Sequence, residues 1–288
     1  MCIRDRNKIV VAIDFSECSI NAFLHSLSIA ENCNGELVLL WVEKSSSEKD
    51  KYAVKTGGPV KDVQKAFEDL IAKHKPEHLD VPISWKIRKG KIYKEVTEEA
   101  KTLNAMLIVT GTHGASGFEE FWIGSNANKI VSASNCPVIT IRGGINIERP
   151  LKKIVLPIDS AEETRQKASF TGYIAKQHDA EVFILKLYSS PLKTMRHKVD
   201  IYAAQVADYF EKEQIKHRVD QITCENISDA TIEYAARIDA NMLSIMTEQE
   251  ITTANIFLGP YAHQMVNHSP FPVLSIHPKD TLAASLEF

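Results

Sequence analysis

The chain has 288 residues, 44% of them apolar and 25% charged, with a net charge of −3. That length allows two domains of ordinary size, each able to bury a core, and the charge balance offers no basic face for non-specific nucleic-acid binding. No apolar run approaches a bilayer span, and the N-terminal "MCIRDRNK" lacks the apolar core of a signal peptide, so a cytoplasmic protein with no membrane partner is expected.

In chain order, the segment 1–6 is expected to be dispensable, with the first element starting near Lys8. The run "KIVVAID" reads as a buried strand. Ser16 is placed to cap a helix with Glu17 in its first turn, and Ile20, Phe23, Leu24 and Leu27 fall on one helical face. Gly35 follows that helix, and "ELVLLWV" is a second strand. The polar stretch "EKSSSEKDKYAVKTGG" reads either as a flap over a site or as a solvated loop. Pro59 opens a helix carrying Val60, Val63, Phe67, Leu70 and Ile71 at helical spacing. Ile83, Trp85 and Ile87 alternate as a strand that runs into "KIRKGK", the densest basic cluster, read as a solvated strand end and turn. Ile92, Val96 and Leu103 carry a third helix. "AMLIVT" is a fourth strand, Ser125 to Ala133 a last helix, and "PVITI" a closing strand.

The plan then repeats. "NKIVVAID" returns as "KKIVLPID", each strand ending in an aspartate (Asp14, Asp159), and "SNCPVITIRGG" returns as "HSPFPVLSIHP". A period of roughly 140 residues is a domain duplication rather than a solenoid. Domains are expected at 7–143 and 151–278. Strands alternating with helices imply an α/β fold, with a five-stranded parallel sheet in each domain covered by helices on both faces. The apolar closing strands would lie at sheet edges, which invite pairing.

The stretch "VTGTHGASGFEEFWIGSN", Val109 to Asn126, places Gly111 and Gly114 after a strand and Gly124-Ser125 at a helix start. Glycine lets other atoms approach the backbone, and bare N–H groups at a helix start favour anions. In parallel sheets ligands bind at the carboxyl ends of strands, where Asp14, Val42 and Gly111 would lie. Asp14 has a second reading, an Asx turn before the helix, as does Asp159. Phe121 and Trp122 read as a lid or as anchors of the loop. The loop has no P-loop lysine, and Glu119 and Glu120 add negative charge, so backbone groups and a divalent cation would carry phosphate recognition. His113 has no second ligand nearby, Pro76 separates His74 from His78, and His263 and His268 lack ligand spacing on one face; no side-chain metal site is expected. Five cysteines show no CxxC pair and read as reduced thiols, one or two of them in the core.

Gly111-x2-Gly114-x9-Gly124-Ser125, with "VAID" on the first strand, resembles the nucleotide-binding pattern of universal stress proteins. The resemblance covers nearly the whole chain and implies two tandem Rossmann-like domains of the adenine-nucleotide α-hydrolase-like type. It implies ATP or another adenine nucleotide, with Mg, in the first domain. Asp14 and the backbone near Ala12 and Val42 would face adenine and ribose; Gly111, His113 and Gly114 would approach ribose and phosphates; Gly124, Ser125 and Asn126 would serve the phosphates. It also implies an intramolecular pseudo-dimer through the closing strands, association into a homodimer, and a stress-response regulator with slow or absent hydrolysis and no catalytic residue. The second half departs from the pattern. In "TEQEITTANIFLGPYAH" Gly259 remains, but Pro260 stands where the hydroxyl was, and Glu248 and Glu250 would repel phosphate. That cleft is expected to have lost the nucleotide. Two alternatives stay open: a weak ATP hydrolase or other adenine-nucleotide-using enzyme, and a ligand-free dimeric scaffold whose glycines only make tight turns.

Overall fold

The computed structural model describes residues 7–44, 60–74, 80–112, 125–142, 150–247, 249–251 and 256–278. Its first half runs β1 (Lys8–Ala12), α1 (Glu17–Cys33), β2 (Glu36–Lys44), α2 (Val60–His74), β3 (Ile83–Gly90), α3 (Ile92–Thr102), β4 (Leu107–Gly111), α4 (Ser125–Ala133) and β5 (Val138–Ile141). The second half repeats it with β6 (Lys153–Ile158), a short 3-10 helix (Glu162–Arg165), α5 (Lys167–Gln177), β7 (Glu181–Tyr188), α6 (Lys193–Lys212), β8 (His217–Thr223), α7 (Ile227–Arg237) and β9 (Met242–Met246). It adds a hairpin, β10 (Gln249–Ile251) and β11 (Ile256–Leu258), before α8 (Pro260–His268) and β12 (Val273–Ile276).

Ser16 caps α1 as its residue type implies, its hydroxyl accepting from the Ser19 N–H at 3.3 Å. The helix stops on Asn34, in the left-handed region at φ 51°, and not on the glycine after it. Gly35 answers a different need: a Cβ there would stand 3.0 Å from the Asn7 carbonyl oxygen. Asn104, Asp179, Gln214 and Asp239 end four other helices at positive φ, and the short amides and acids among them tolerate that region better than most side chains.

All strands but the hairpin share one sheet, ordered β3-β2-β1-β4-β5-β12-β9-β6-β7-β8. Every pair in it is parallel except β5–β12, where Val138 faces Ser275, Ile139 faces Leu274 and Thr140 faces Val273. The two closing strands therefore lie side by side at the middle, and the two halves form an intramolecular pseudo-dimer. Alternating strand residues feed opposite faces. Ile9, Val11, Leu37 and Leu39 join Phe23 and Phe67 in a core that continues through Ile154, Leu156, Phe170 and Phe210, beneath α1, α2, α5 and α6. Full burial of each such phenylalanine contributes about 1.5–3 kcal/mol. The opposite face is divided: Val10, Leu40, Val96 and Ile130 pack under α3 and α4, whereas Val155, Leu185, Tyr234 and Met265 pack under α7 and α8.

Three expectations change. The "KIRKGK" cluster is not merely solvated: Lys86 binds the fully buried Glu99 of α3 at 2.6 Å, and Arg88 takes its other carboxylate oxygen. Burial by itself would raise the Glu99 carboxyl, but the two cations override that and hold it below its usual value. Of the cysteines described, Cys18, Cys33 and Cys136 are buried, more than the one or two expected. The hairpin β10–β11 was not foreseen in its polar sequence. The stretch 45–59 that reads as a flap, and Phe121 and Trp122, lie outside the described residues.

Across the middle, α1 packs on α5 and brings His25 towards His178, which is 7% exposed. His25 Nδ1 and His178 Nε2 are sealed from solvent without hydrogen-bond partners. Burial lowers both rings to about 4, and the nearby charges of His25 and Lys152 add to the effect at His178. Each folded-state value lies below its unfolded one near 6.5, so above that pH neither ring affects stability. Between pH 6.5 and about 4 the unfolded chain takes up protons the folded one refuses, and stability falls by on the order of 3 kcal/mol per ring. Urea unfolding across that range should show the slope, and His25→Phe with His178→Phe should flatten it. In the same assay, Lys86→Met with Arg88→Met should cost about 3–5 kcal/mol, because it strands a buried carboxylate. Glu99→Gln should cost less, since both cations can return to solvent.

Candidate functional site

β1 leads into α1 on the continuous face, whereas β4 leads towards α4 on the divided one. Connections that part to opposite faces leave a crevice between the strand ends. Here it is an open cleft of about 570 Å³, the open solvent above it included. Ala12, Ile13 and Asp14 line it from β1 and the turn beyond, Leu40 to Val42 from β2, and Thr110 to Thr112 from β4. Asn126, Ala127 and Ile130 of α4 and Ile92 and Val96 of α3 complete the wall.

Of the expected site residues, Ala12, Asp14, Val42, Gly111 and Asn126 meet in this cleft. Ser125 is the exposed first residue of α4, at the cleft's edge rather than in its lining. His113, Gly114 and Gly124 lie outside the described residues. Sequence reading missed the apolar wall of Ile92, Val96 and Ile130, and the hydroxyls of Thr110, Thr112 and Ser19. Ile92 and Val96 carried a signal: they stand four apart, on the face of α3 that looks at the sheet.

Two expected residues have structural work of their own. The Asp14 carboxylate accepts from the Ser16 N–H at 3.0 Å and from the Ser16 hydroxyl at 2.5 Å, closing an Asx turn. Asp159 closes the matching turn with the Ala161 N–H at 2.9 Å. Between Asp14 and Ser16, Phe15 sits at φ 62°, a strained position for a bulky residue, with its ring 5.1 Å from that of Phe67. Gly111 approaches α1 so closely that a Cβ would fall 2.8 Å from the Cys18 carbonyl carbon.

The cleft thus combines an apolar slot, walled by Val42, Ile92, Val96 and Ile130, with a polar rim of Asp14, Thr110, Thr112 and Asn126. That division suits a flat heteroaromatic ring carrying a polar tail. The first turn of α4 presents N–H groups at the rim and carries no acidic side chain. A nucleotide fits this donor set, and its Mg would draw most of its oxygen ligands from phosphates and water, as magnesium commonly does. Among the described residues, no group of three His, Cys, Asp or Glu side chains could hold a metal ion, and no helix is long and apolar enough to cross a membrane.

The second half is built differently at the same place. Element for element, Pro157 stands for Ala12, Met246 for Gly111, Pro260 for Ser125 and Tyr261 for Asn126. Pro157 has no N–H to give, and β6 pairs with β9 only at Ile154 and Val155, whereas β1 pairs with β4 as far as Ala12. Met246 is buried where Gly111 left no room, and the helix that would crowd it begins only at Lys167, after the 3-10 helix. Lys167, in the place of Ala22, is buried and donates to the Thr164 carbonyl at 2.7 Å and to its hydroxyl at 3.0 Å. Burial pushes its ammonium down to about 8, opposed by the charge of Asp159.

The geometry defines an α/β protein of the doubly wound kind, present in two copies, with a cleft at the switch point of the first. A family model described as the universal stress protein family matches residues 5–142 and again 150–277, and the chain belongs to that family as a tandem member. Universal stress protein MJ0531 of Methanocaldococcus jannaschii is 28% identical over 145 residues, covering 47% of this chain and 81% of that protein. Universal stress protein YxiE of Bacillus subtilis is 28% identical over 153 residues, covering 47% of this chain and 99% of its own. Both halves are matched together by the crystal structure of a universal stress protein from Archaeoglobus fulgidus, with a TM-score of 0.75 and 17% identity, over 94% of this chain and 98% of that one.

The contact at Gly111 gives a direct test. Gly111→Ala would push a methyl group into the backbone of α1, which cannot yield as a flexible side chain would. A loss of about 1–3 kcal/mol is expected in urea unfolding, and replacing Cys18 by glycine should not restore it, because the carbonyl carbon stays in place.

Proposed function

We propose that the first-half cleft binds an adenine nucleotide, ATP with Mg, and that the protein is a cytoplasmic stress-response regulator whose nucleotide state alters its shape or partners. The observation that carries this reading is the meeting of Ala12, Asp14, Val42, Gly111 and Asn126 around one apolar slot. In it, the backbone at Ala12 and Val42 and the Asp14 carboxylate serve adenine and ribose. Gly111, His113 and Gly114 approach ribose and phosphates, and Gly124, Ser125 and Asn126 meet the phosphates at the start of α4. Asp14 is the one ionisable side chain in the described lining and already closes a turn, which favours binding over turnover. The bulk of Met246 and the missing N–H groups of Pro157 and Pro260 support loss of nucleotide from the second half. Two chains associate as a homodimer, and neither nucleic acid nor membrane is a partner.

A ligand-free scaffold is the second reading, and two observations favour it: the contact with Cys18 accounts for Gly111, and the Asx turn accounts for Asp14. The readings separate on purified protein. Chain isolated without added nucleotide, denatured and analysed by mass spectrometry should release ATP near one per chain. Titration of emptied protein should show tight ATP binding that Gly114→Val weakens at least about tenfold, the scale expected when a backbone approach to phosphate is blocked. A folded protein that binds no nucleotide at all decides for the scaffold.

A further inference from the structure

Helix α4 belongs to the first half, yet the second half grips it at three places. Ala127, which lines the cleft, also packs in the second half's cluster with Val155, Met265 and Val273. Strand β11 runs against α4, and its Leu258 packs on both clusters of the divided face, the one around Ile130 and the one around Met265. His277, 2% exposed, follows β12 and reaches Val131. Its Nε2 lies 2.5 Å from the Val131 carbonyl oxygen, which can only accept, so Nε2 carries the proton. Nδ1 is left to accept from the Thr247 hydroxyl, also at 2.5 Å.

The last carbonyls of a helix have no partner within it. His277 supplies one to α4 from the other half of the molecule. The hairpin β10–β11 that brings Leu258 into place occupies the chain position of the first half's glycine loop. In the second half, the strand at that chain position braces the helix beside the first-half cleft.

We propose that Leu258 and His277 are positioning residues that hold α4 at the setting needed by the phosphate end of a nucleotide in the first-half cleft. The inference rests on the nucleotide reading above. Neither residue lines the cleft. Three of the four side chains that wall the base slot, Val42, Ile92 and Val96, come from β2 and α3 and only Ile130 from α4, whereas the phosphate rim depends on the start of α4. Loosening α4 should therefore weaken ATP and spare adenosine, a split that general destabilisation would not produce.

The test measures ATP and adenosine binding, by calorimetry and saturation-transfer NMR, for the full chain, Leu258→Ala, His277→Ala and His277→Gln. Far-UV circular dichroism and thermal midpoints check that each variant is folded. Leu258→Ala trims a half-buried side chain, so it keeps the test alive if His277→Ala fails to fold. The expected result is ATP binding weakened roughly tenfold in both alanine variants, adenosine within about twofold of wild type, and substantial recovery in His277→Gln, whose amide can still donate to Val131. If the folded variants bind ATP as wild type does, or lose ATP and adenosine together, the positioning role is overturned and the nucleotide reading stands. Wild-type protein that binds neither ligand overturns the nucleotide reading, and the positioning role with it.

Discussion

Three facing pairs, Val138–Ser275, Ile139–Leu274 and Thr140–Val273, decide the form of the whole molecule. Without them each half has an apolar closing strand at an open edge, and sheet edges attract pairing. With them two five-stranded sheets become one of ten strands, whose edges among the described residues are β3 and β8. Those strands are dressed in charge: Lys86, Arg88 and Lys89 on one, Arg218 and Asp220 on the other. The seam also lets Phe23 and Phe67 share a core with Phe170 and Phe210. It sets α1 against α5 as well, which is why two histidine rings end up where burial disfavours their protonated form.

The opposite face shows what duplication permits. Two separate chains of one sequence would have to carry identical clefts. Here the copies have diverged at corresponding positions, with glycine against methionine at the end of β4 and β9, and serine against proline at the start of α4 and α8. The changes are coordinated: a bulkier strand end goes with a later helix start, and a buried lysine takes the place of Ala22. One copy keeps an apolar slot with a polar rim, and the other sets a methionine and two prolines at the corresponding positions.

Much of the first half could be read from its residues. Apolar runs bounded by Asp14, Gly35 and the glycines after Val109 locate the strands, and Ser125–Ala133 emerges as a helix with the expected bounds. The repeat of "IVVAID" as "IVLPID" implies the duplication, and the apolar closing strands imply the seam. What escaped notice depends on distance along the chain. Glu99 reads as an ordinary surface acid until β3 is laid beside α3. His277 and Val131 are 146 residues apart, and no local pattern connects them. Of the glycine signature, Gly111 has a structural cause that no local pattern shows: it is demanded by the approach of α1 whether or not a ligand binds.

The antiparallel seam has a consequence in time. β5 is complete long before β12 is made, and at ordinary synthesis rates the gap is on the order of ten seconds. Through that interval the finished half displays an apolar edge shaped to receive a strand of the β12 pattern, and any neighbouring nascent chain can present one. Cross-pairing between chains would use the same three contacts as the correct fold, so nothing in the seam itself distinguishes self from neighbour. The discrimination falls to the short connector between the halves, which keeps the chain's own β12 at far higher local concentration than a neighbour's.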